Sequence, residues 1–356
     1  MKRDLKTIVF KVNPENPDEE KINVAAEVIR RGGIVAFPTE TVYGLGVDAL
    51  NKEAVKRMYE VKGRPPDNPT IVHIAEFNDV YRLAVDVPEV AEELMKRFWP
   101  GPLTIVLKAS NIVPRVTTGG LETVGIRMPK HNVALALIKA SKTPIAAPSA
   151  NIAGKPSPTT AQHVIQDFYG SIDVILDAGP TKIGVESTVL DLTTKPPQIL
   201  RPGGVTYEEL KEVLGDIIVH KAAKAKEDIP IDEVKSPGMK YRHYAPKAEL
   251  IVVEGETDKI IKEINKLINE YSKMGRRVGV MATDETVKNY EMGIVKSVGS
   301  RSDLSTIARN LFRILREFDD EGVELILAEG VPEEGLGLAI MNRLRKASGY
   351  KVIHVS

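Results

Sequence analysis

Along the first two hundred residues, short β-branched runs alternate with stretches in which apolar side chains recur every three or four positions, the pattern of strands alternating with amphipathic helices in an α/β sheet. Ile22, Ala25, Ala26 and Ile29 share one face of a helix predicted over 18–31, with Gly32 and Gly33 as its stop. Asn51 is the predicted N-cap of a second helix whose inner face carries Ala54, Val55, Met58 and Val61. Further helices are predicted near 88–98, 131–141, 160–168 and 206–214, and strands near 34–37, 70–74, 103–108, 124–128, 145–147, 173–177, 188–192 and 199–200. The long Pro- and Gly-rich connections 63–69 and 113–120 are where function is expected.

The pattern breaks at about Asp216, where Lys, Ala, Asp and Glu lead into Ser236-Pro237-Gly238-Met239-Lys240-Tyr241-Arg242-His243-Tyr244-Ala245-Pro246. This segment reads as a linker whose first half is a solvated tether and whose second half carries too many aromatic and basic groups for a passive spacer. Beyond it, strands at 249–253, 277–282, 294–298, 323–328 and 351–355 alternate with helices at 258–274, 303–318 and 337–347, as in a small doubly wound sheet. The expected organisation is a catalytic domain over 1–215, a linker over 216–247 and a second α/β domain over 248–356.

Composition narrows the chemistry. The chain has 356 residues, 49 Lys plus Arg against 49 Asp plus Glu, and no Cys. Zero net charge provides no global field for nucleic acid, so any RNA contact is local. Without Cys there are no disulfides, thiolate metal sites or Cys nucleophiles. No stretch approaches the ~20 apolar residues of a membrane span, and no signal-peptide layout is present, so a cytoplasmic location is expected.

Several standard motifs fail. Gly44-Leu45-Gly46-Val47-Asp48-Ala49 fits a dinucleotide fingerprint only formally, because the preceding strand is predicted to end at Phe37 and leaves no tight strand-to-helix turn. P-loop, nucleophile-elbow and zincin motifs are missing. What remains is a set of polar groups at element ends: Pro38-Thr39-Glu40-Thr41-Val42-Tyr43-Gly44-Leu45-Gly46, Lys62 and Arg64, Ser149 and Asn151, Glu186-Ser187-Thr188-Val189, and Arg201-Pro202-Gly203. Each has a bland reading as a turn, a cap or a dipole partner. Arg127, inside the apolar run Gly125-Ile126-Arg127-Met128, either joins an internal salt bridge or receives a ligand carboxylate. His73 alone reads as a satisfied core histidine. Four cations (Lys62, Arg64, Arg127, Arg201) with Thr, Ser and Asn at neighbouring ends suit a polyanionic nucleotide beside a small zwitterion. A basic face for double-stranded RNA or tRNA, without chemistry, is the competing class.

Taken together and in this order, those five motifs resemble the YrdC-like threonylcarbamoyl-adenylate synthases. The linker and the final Gly335-Leu336-Gly337-Leu338-Ala339-Ile340-Met341-Asn342-Arg343-Leu344 resemble the two-domain branch of that family. The resemblance implies a twisted open α/β sheet domain, an extended linker and a smaller Rossmann-like α/β domain. It further implies synthesis of threonylcarbamoyl-AMP and pyrophosphate from L-threonine, bicarbonate or CO2, and ATP with Mg2+. The product would pass to a separate tRNA threonylcarbamoyl transferase complex, with direct tRNA contact left open and no membrane partner. By motif position, Thr41, His73, Arg127, Ala147 and Ser187 are expected to hold threonine. Lys62, Arg64, Asn68, Thr123, Ser149, Asn151, Ser157 and Arg201 are expected to hold ATP, with Lys62, Arg64, Ser149 and Asn151 nearest the chemistry. Tyr241, Arg242, His243 and Tyr244 are expected to form a lid, and no protein metal ligands are assigned. A maturation enzyme that forms a carbamoyl adenylate is the related alternative.

Overall fold

The computed structural model describes residues 5–356. It divides into two compact units, the first comprising residues up to 153 with 157–223 and 231–240, the second comprising 154–156, 224–230 and 241–356. The first unit therefore reaches beyond 215 and takes up part of the segment read as a linker.

In chain order the strands of the first unit are β1 (Ile8–Lys11), β2 (Val35–Pro38), β3 (Tyr43–Asp48), β4 (Ile71–His73), β5 (Ala84–Val85), β6 (Leu103–Ala109), β7 (Thr123–Arg127), β8 (Ile145–Ala146), β9 (Val174–Asp177), β10 (Thr188–Asp191), β11 (Gln198–Arg201) and β12 (Ile218–Val219). They form one sheet in the order β1-β9-β2-β3-β8-β4-β7-β6-β10-β11-β12, with β5 added to β6. Pairing is mixed: β4 and β7 run parallel, whereas β6 and β7 and β10 and β11 run antiparallel.

Alternation along the strands feeds two cores. Val35 and Phe37 of β2 pack with Ile22, Ala25, Ala26 and Ile29 of helix Glu19–Arg30 and with Val133 and Leu137 of helix Asn132–Ser141. Ala36, between them, joins the opposite core, where Ala54, Val55 and Met58 of helix Lys52–Lys62 lie. That helix begins where expected, the Asn51 side chain accepting from the Glu53 and Ala54 amides, and it ends at Gly63 with φ 65°.

Two sequence expectations are corrected. The stretch after Pro38 is a hairpin rather than a strand exit into a loop, since β3 pairs antiparallel with β2, Phe37 opposite Gly44 and Val35 opposite Gly46. Its glycines make room for a ring: a Cβ on Gly46 would lie 2.7 Å from Phe37 Cε1 and 2.9 Å from Ile145 Cγ2. The end of the linker's first half is not a solvated tether, since Val234 is buried and Lys235 Nζ lies 3.5 Å from Asp191. In the second half Ser236 and Met239 are buried, and the Pro237 carbonyl lies 3.5 Å from Arg201 Nη1. Val234 and Met239 are the buried apolar side chains of residues 231–240.

The second unit carries β13 (Glu249–Gly255), β14 (Val278–Ala282), β15 (Ile294–Ser297), β16 (Leu325–Glu329) and β17 (Val352–Val355), all parallel, in the order β15-β14-β16-β13-β17. Every residue of β14 and β16 is buried, as in sheets covered on both faces. No helix among the described residues is long and apolar enough to cross a membrane.

Candidate active site

Register across the first sheet places the polar residues in one row. His73 of β4 pairs with Arg127 of β7. Ile126 pairs with Ile105 of β6, so the next position, Thr104, stands beside Arg127. Thr104 pairs with Val189 of β10, and Val189 with Arg201 of β11. Register partners share a face and neighbouring strands lie ~4.8 Å apart, so His73, Arg127, Thr104 and Arg201 line one strip of sheet. Thr123, Gly125 and Arg127 alternate onto the same face. Thr123 thus lies ~13 Å along the strand from Arg127 at 3.3 Å per residue.

Arg127 is the centre of the strip and is 4% exposed. Its Nε donates to the Gly101 carbonyl at 3.2 Å, its Nη1 to Thr41 Oγ1 at 3.1 Å, and its Nη2 to Glu40 Oε1. The other Glu40 oxygen accepts from the Lys130 amide at 2.7 Å. Of the two alternatives raised by the sequence, the internal salt bridge is present. It leaves one N–H on each terminal nitrogen, because a guanidinium has five N–H donors and three are used.

Ser187 is tied to the strip from two sides. Its hydroxyl lies 2.8 Å from Thr104 Oγ1 and accepts from Arg201 Nη2 at 3.3 Å, while Arg201 Nε donates to the Ser187 carbonyl at 3.1 Å. His73 Nδ1 lies 3.1 Å from the Ile71 carbonyl. Burial, reinforced by the Arg127 charge, pushes His73 down to about 3, so its ring is neutral near pH 7. Ala147 follows β8 and donates its amide to the Ile71 carbonyl at 3.0 Å, which ties the chain after β8 to β4.

The nucleotide candidates form a second group. Lys62 does not project as an open phosphate clamp: Nζ donates to the Ser149 carbonyl at 2.5 Å and the Asn151 carbonyl at 2.7 Å, and the Lys62 carbonyl accepts from the Ala153 amide at 3.0 Å. Burial, and then the Arg64 charge, hold its amine well below the ordinary lysine range. Arg64 stacks over the Tyr59 ring at 5.7 Å and donates to the Asn68 and Pro69 carbonyls at 3.2 and 2.5 Å. Both cations therefore shape loops, Ser149 to Asn151 and Asn68 to Pro69. Asn68 Oδ1 is buried and has no hydrogen-bond partner, as an acceptor awaiting a ligand donor would be. Ser157 donates to Glu186, and both are buried.

The structure thus bonds Thr41 to Arg127 and Ser187 to Arg201, sets His73 beside Arg127 and Thr104 between the two pairs by register, and joins Lys62 with Ser149 and Asn151. Arg64, Asn68 and Thr123 lie at the opposite ends of β4 and β7 from His73 and Arg127. Glu40, Thr104 and Glu186 were not assigned from sequence. Thr104, a polar residue within Leu103-Thr104-Ile105-Val106-Leu107, left a readable signal. Among the four residues expected to form a lid, Tyr244 is buried in the second unit, stacked on Phe312 at 5.4 Å with the Arg343 guanidinium 5.4 Å from its ring, so it anchors the linker there. His243 is half-buried, and Tyr241 and Arg242 are the exposed pair.

A strip of buried cations and hydroxyls on a mixed sheet, joined in one chain to a parallel α/β unit, is the architecture of an enzyme for small charged substrates. Comparison with known proteins gives the family. Residues 27–203 match the family described as "Telomere recombination", and residues 205–349 match "Threonylcarbamoyl-AMP synthase, C-terminal domain". The chain is 57% identical to the threonylcarbamoyl-AMP synthase of Pyrococcus abyssi, over 98% of this chain and all of that one. It is 53% identical to that of Bacillus subtilis, over 94% and 95% respectively. The crystal structure of P. abyssi Sua5 complexed with L-threonine superposes with a TM-score of 0.93 over 98% of this chain and 100% of that one, at 57% identity. The chain belongs to the threonylcarbamoyl-AMP synthase family, in its two-domain form.

Proposed function

We propose that this chain converts L-threonine, bicarbonate or CO2, and ATP into threonylcarbamoyl-AMP and pyrophosphate. The observation that carries this reading is Arg127: it is buried and locked on three sides, yet keeps one N–H on each terminal nitrogen, which suits a bidentate grip on a substrate carboxylate. Thr41, Ser187 and neutral His73 surround it with groups suited to the amino acid's hydroxyl and amine. The threonine-bound relative supports the choice of amino acid.

The chemistry asks little covalent work of the protein. The threonine amine adds to CO2, losing a proton, and the carbamate oxygen then attacks the α-phosphorus as the bond to pyrophosphate breaks. An anionic carbamate needs no general base at that second step, so positioning and charge neutralisation dominate. Arg201, Ser149, Asn151, Asn68, Thr123 and Ser157 would hold the nucleotide, with Lys62 and Arg64 fixing the loops that present them. Among the described residues no cluster of three or more His, Asp or Glu side chains is placed to hold a metal ion. Magnesium would therefore arrive on the triphosphate with water ligands, neutralising phosphate charge. Tyr241 and Arg242, the exposed pair of residues 241–244, would serve as the lid. The labile product fits a cytoplasmic enzyme that hands it to a tRNA-modifying transferase.

A dedicated RNA-binding role is disfavoured because Lys62, Arg64, Arg127 and Arg201 are each at most 9% exposed and cannot form a phosphate-facing surface. The test is pyrophosphate release from ATP and magnesium. Release that requires both L-threonine and bicarbonate, with L-serine a poorer substrate, is the expected result. ATP binding without release under any combination would end the proposal.

A further inference from the structure

Glu40 is a buried carboxylate in the middle of the site that the proposed reaction leaves without a task. It is 5% exposed, one oxygen faces Arg127 Nη2, and the other accepts from the Lys130 amide. The backbone contact fixes the carboxylate independently of Arg127, so Glu40 is a rigid stop against which the guanidinium plane is set. Thr41, next in sequence, holds the other terminal nitrogen. Two successive residues of one hairpin turn therefore determine which Arg127 N–H groups remain for a ligand. The pairing also sets charge. His73, the titratable group beside Arg127 on β4, is neutral, so the Arg127–Glu40 pair itself carries no net formal charge, Arg201 standing three strands further along the strip.

A zwitterionic amino acid also has no net charge and brings one carboxylate. An inorganic phosphate or a stray polyphosphate brings two or more negative charges, which an uncompensated buried guanidinium would attract strongly and a compensated one would not. We propose that Glu40 is a positioning and selectivity residue of the Arg127 pocket, orienting the guanidinium for a substrate carboxylate and cancelling its charge so that multiply charged anions are rejected. This inference rests on the assignment of Arg127 as the carboxylate binder.

Glutamine cannot replace the carboxylate. Arg127 and the Lys130 amide are both donors, and an amide has one oxygen for the two of them. Glu40→Gln is expected to raise the threonine KM by about tenfold or more while leaving the ATP KM within about twofold, the signature of a local ground-state loss. In the same variant, inorganic phosphate is expected to inhibit at several-fold lower concentration. Glu40→Asp, shorter by one carbon but still charged, is expected to weaken threonine while keeping wild-type phosphate tolerance, and it serves as the test if the Gln variant does not fold by circular dichroism. Wild-type threonine KM and phosphate inhibition in Glu40→Gln would overturn the proposal, as would equal loss of threonine and ATP affinity with no change in phosphate inhibition. Should Glu40→Asp be the variant tested, unchanged threonine KM or newly acquired phosphate sensitivity would do the same. Arg127→Ala, assayed in parallel by calorimetric titration with L-threonine, separates the two ideas: undiminished threonine binding there removes the carboxylate assignment itself, whatever Glu40 does.

Discussion

Replacing Lys62 with Met gives the sharpest test of how the nucleotide loop is built. The wild-type ammonium donates to the Ser149 and Asn151 carbonyls from a fully buried position. Hydrogen bonds from a charged donor contribute about 1.5–3 kcal/mol each, and the two carbonyls would be left without their partner. Against that loss stands relief from holding a cation out of water, each unit of pKa depression representing about 1.4 kcal/mol. A net destabilisation of about 2–4 kcal/mol is expected, together with a fall in kcat of about a hundredfold as the Ser149 to Asn151 loop loosens. The opposing contributions can be separated by pH. A lysine whose folded pKa lies below its unfolded value of 10.5 binds more protons unfolded than folded between the two, so wild-type stability rises with pH through that window and levels off above it. The Met variant lacks this slope. Urea unfolding of both proteins across alkaline pH should show a stability gap that widens towards 10.5. A gap independent of pH, with kcat unchanged, would refute the loop-anchor argument.

The remaining predictions concern two other anchors. His73, at about 3 against 6.5 when free, gives stability that is fully present above 6.5 and is lost as pH falls towards 3, up to about 4–5 kcal/mol at 1.36 kcal/mol per unit. A His73→Asn variant should show a flatter dependence of urea midpoint on pH below 6.5, and an unchanged acid slope would count against the buried neutral imidazole. Tyr244→Ala should cost about 3 kcal/mol or more through loss of the Phe312 stack and the Arg343 contact, read as a lower melting temperature of the full chain. An unaltered melt would refute the anchoring role of Tyr244.

Much of the architecture was legible because it rests on local rules. β-Branched runs marked most of the strands, and the Asn51 cap marked the start of a helix that the structure ends at Gly63. β3 escaped notice because Gly44 and Gly46 read as loop, and the feature that makes them strand residues is the Phe37 ring across the hairpin. The motifs identified which residues matter, but not how they act. Lys62 looked like an anion clamp, and only packing shows that its amine ends on two carbonyls. Glu40 and Arg127 are 87 positions apart, so no spacing in the sequence pairs them. The first half of the linker misled for a related reason: its charges suggest a tether, whereas burial of Val234 depends on the surface it meets.

The strip of His73, Arg127, Thr104 and Arg201 exists only through ladder register. Because side chains alternate with a period of two, losing or gaining one residue within β4, β6, β7 or β11 would turn that strand's contribution to the opposite face. Length changes in this chain should therefore be tolerated in the connections and forbidden within these four strands, even where the inserted residue is itself a good strand former. The strands act as a ruler as well as a scaffold, and the site's tolerance to insertion is set by hydrogen-bond counting rather than by the chemistry of any one side chain.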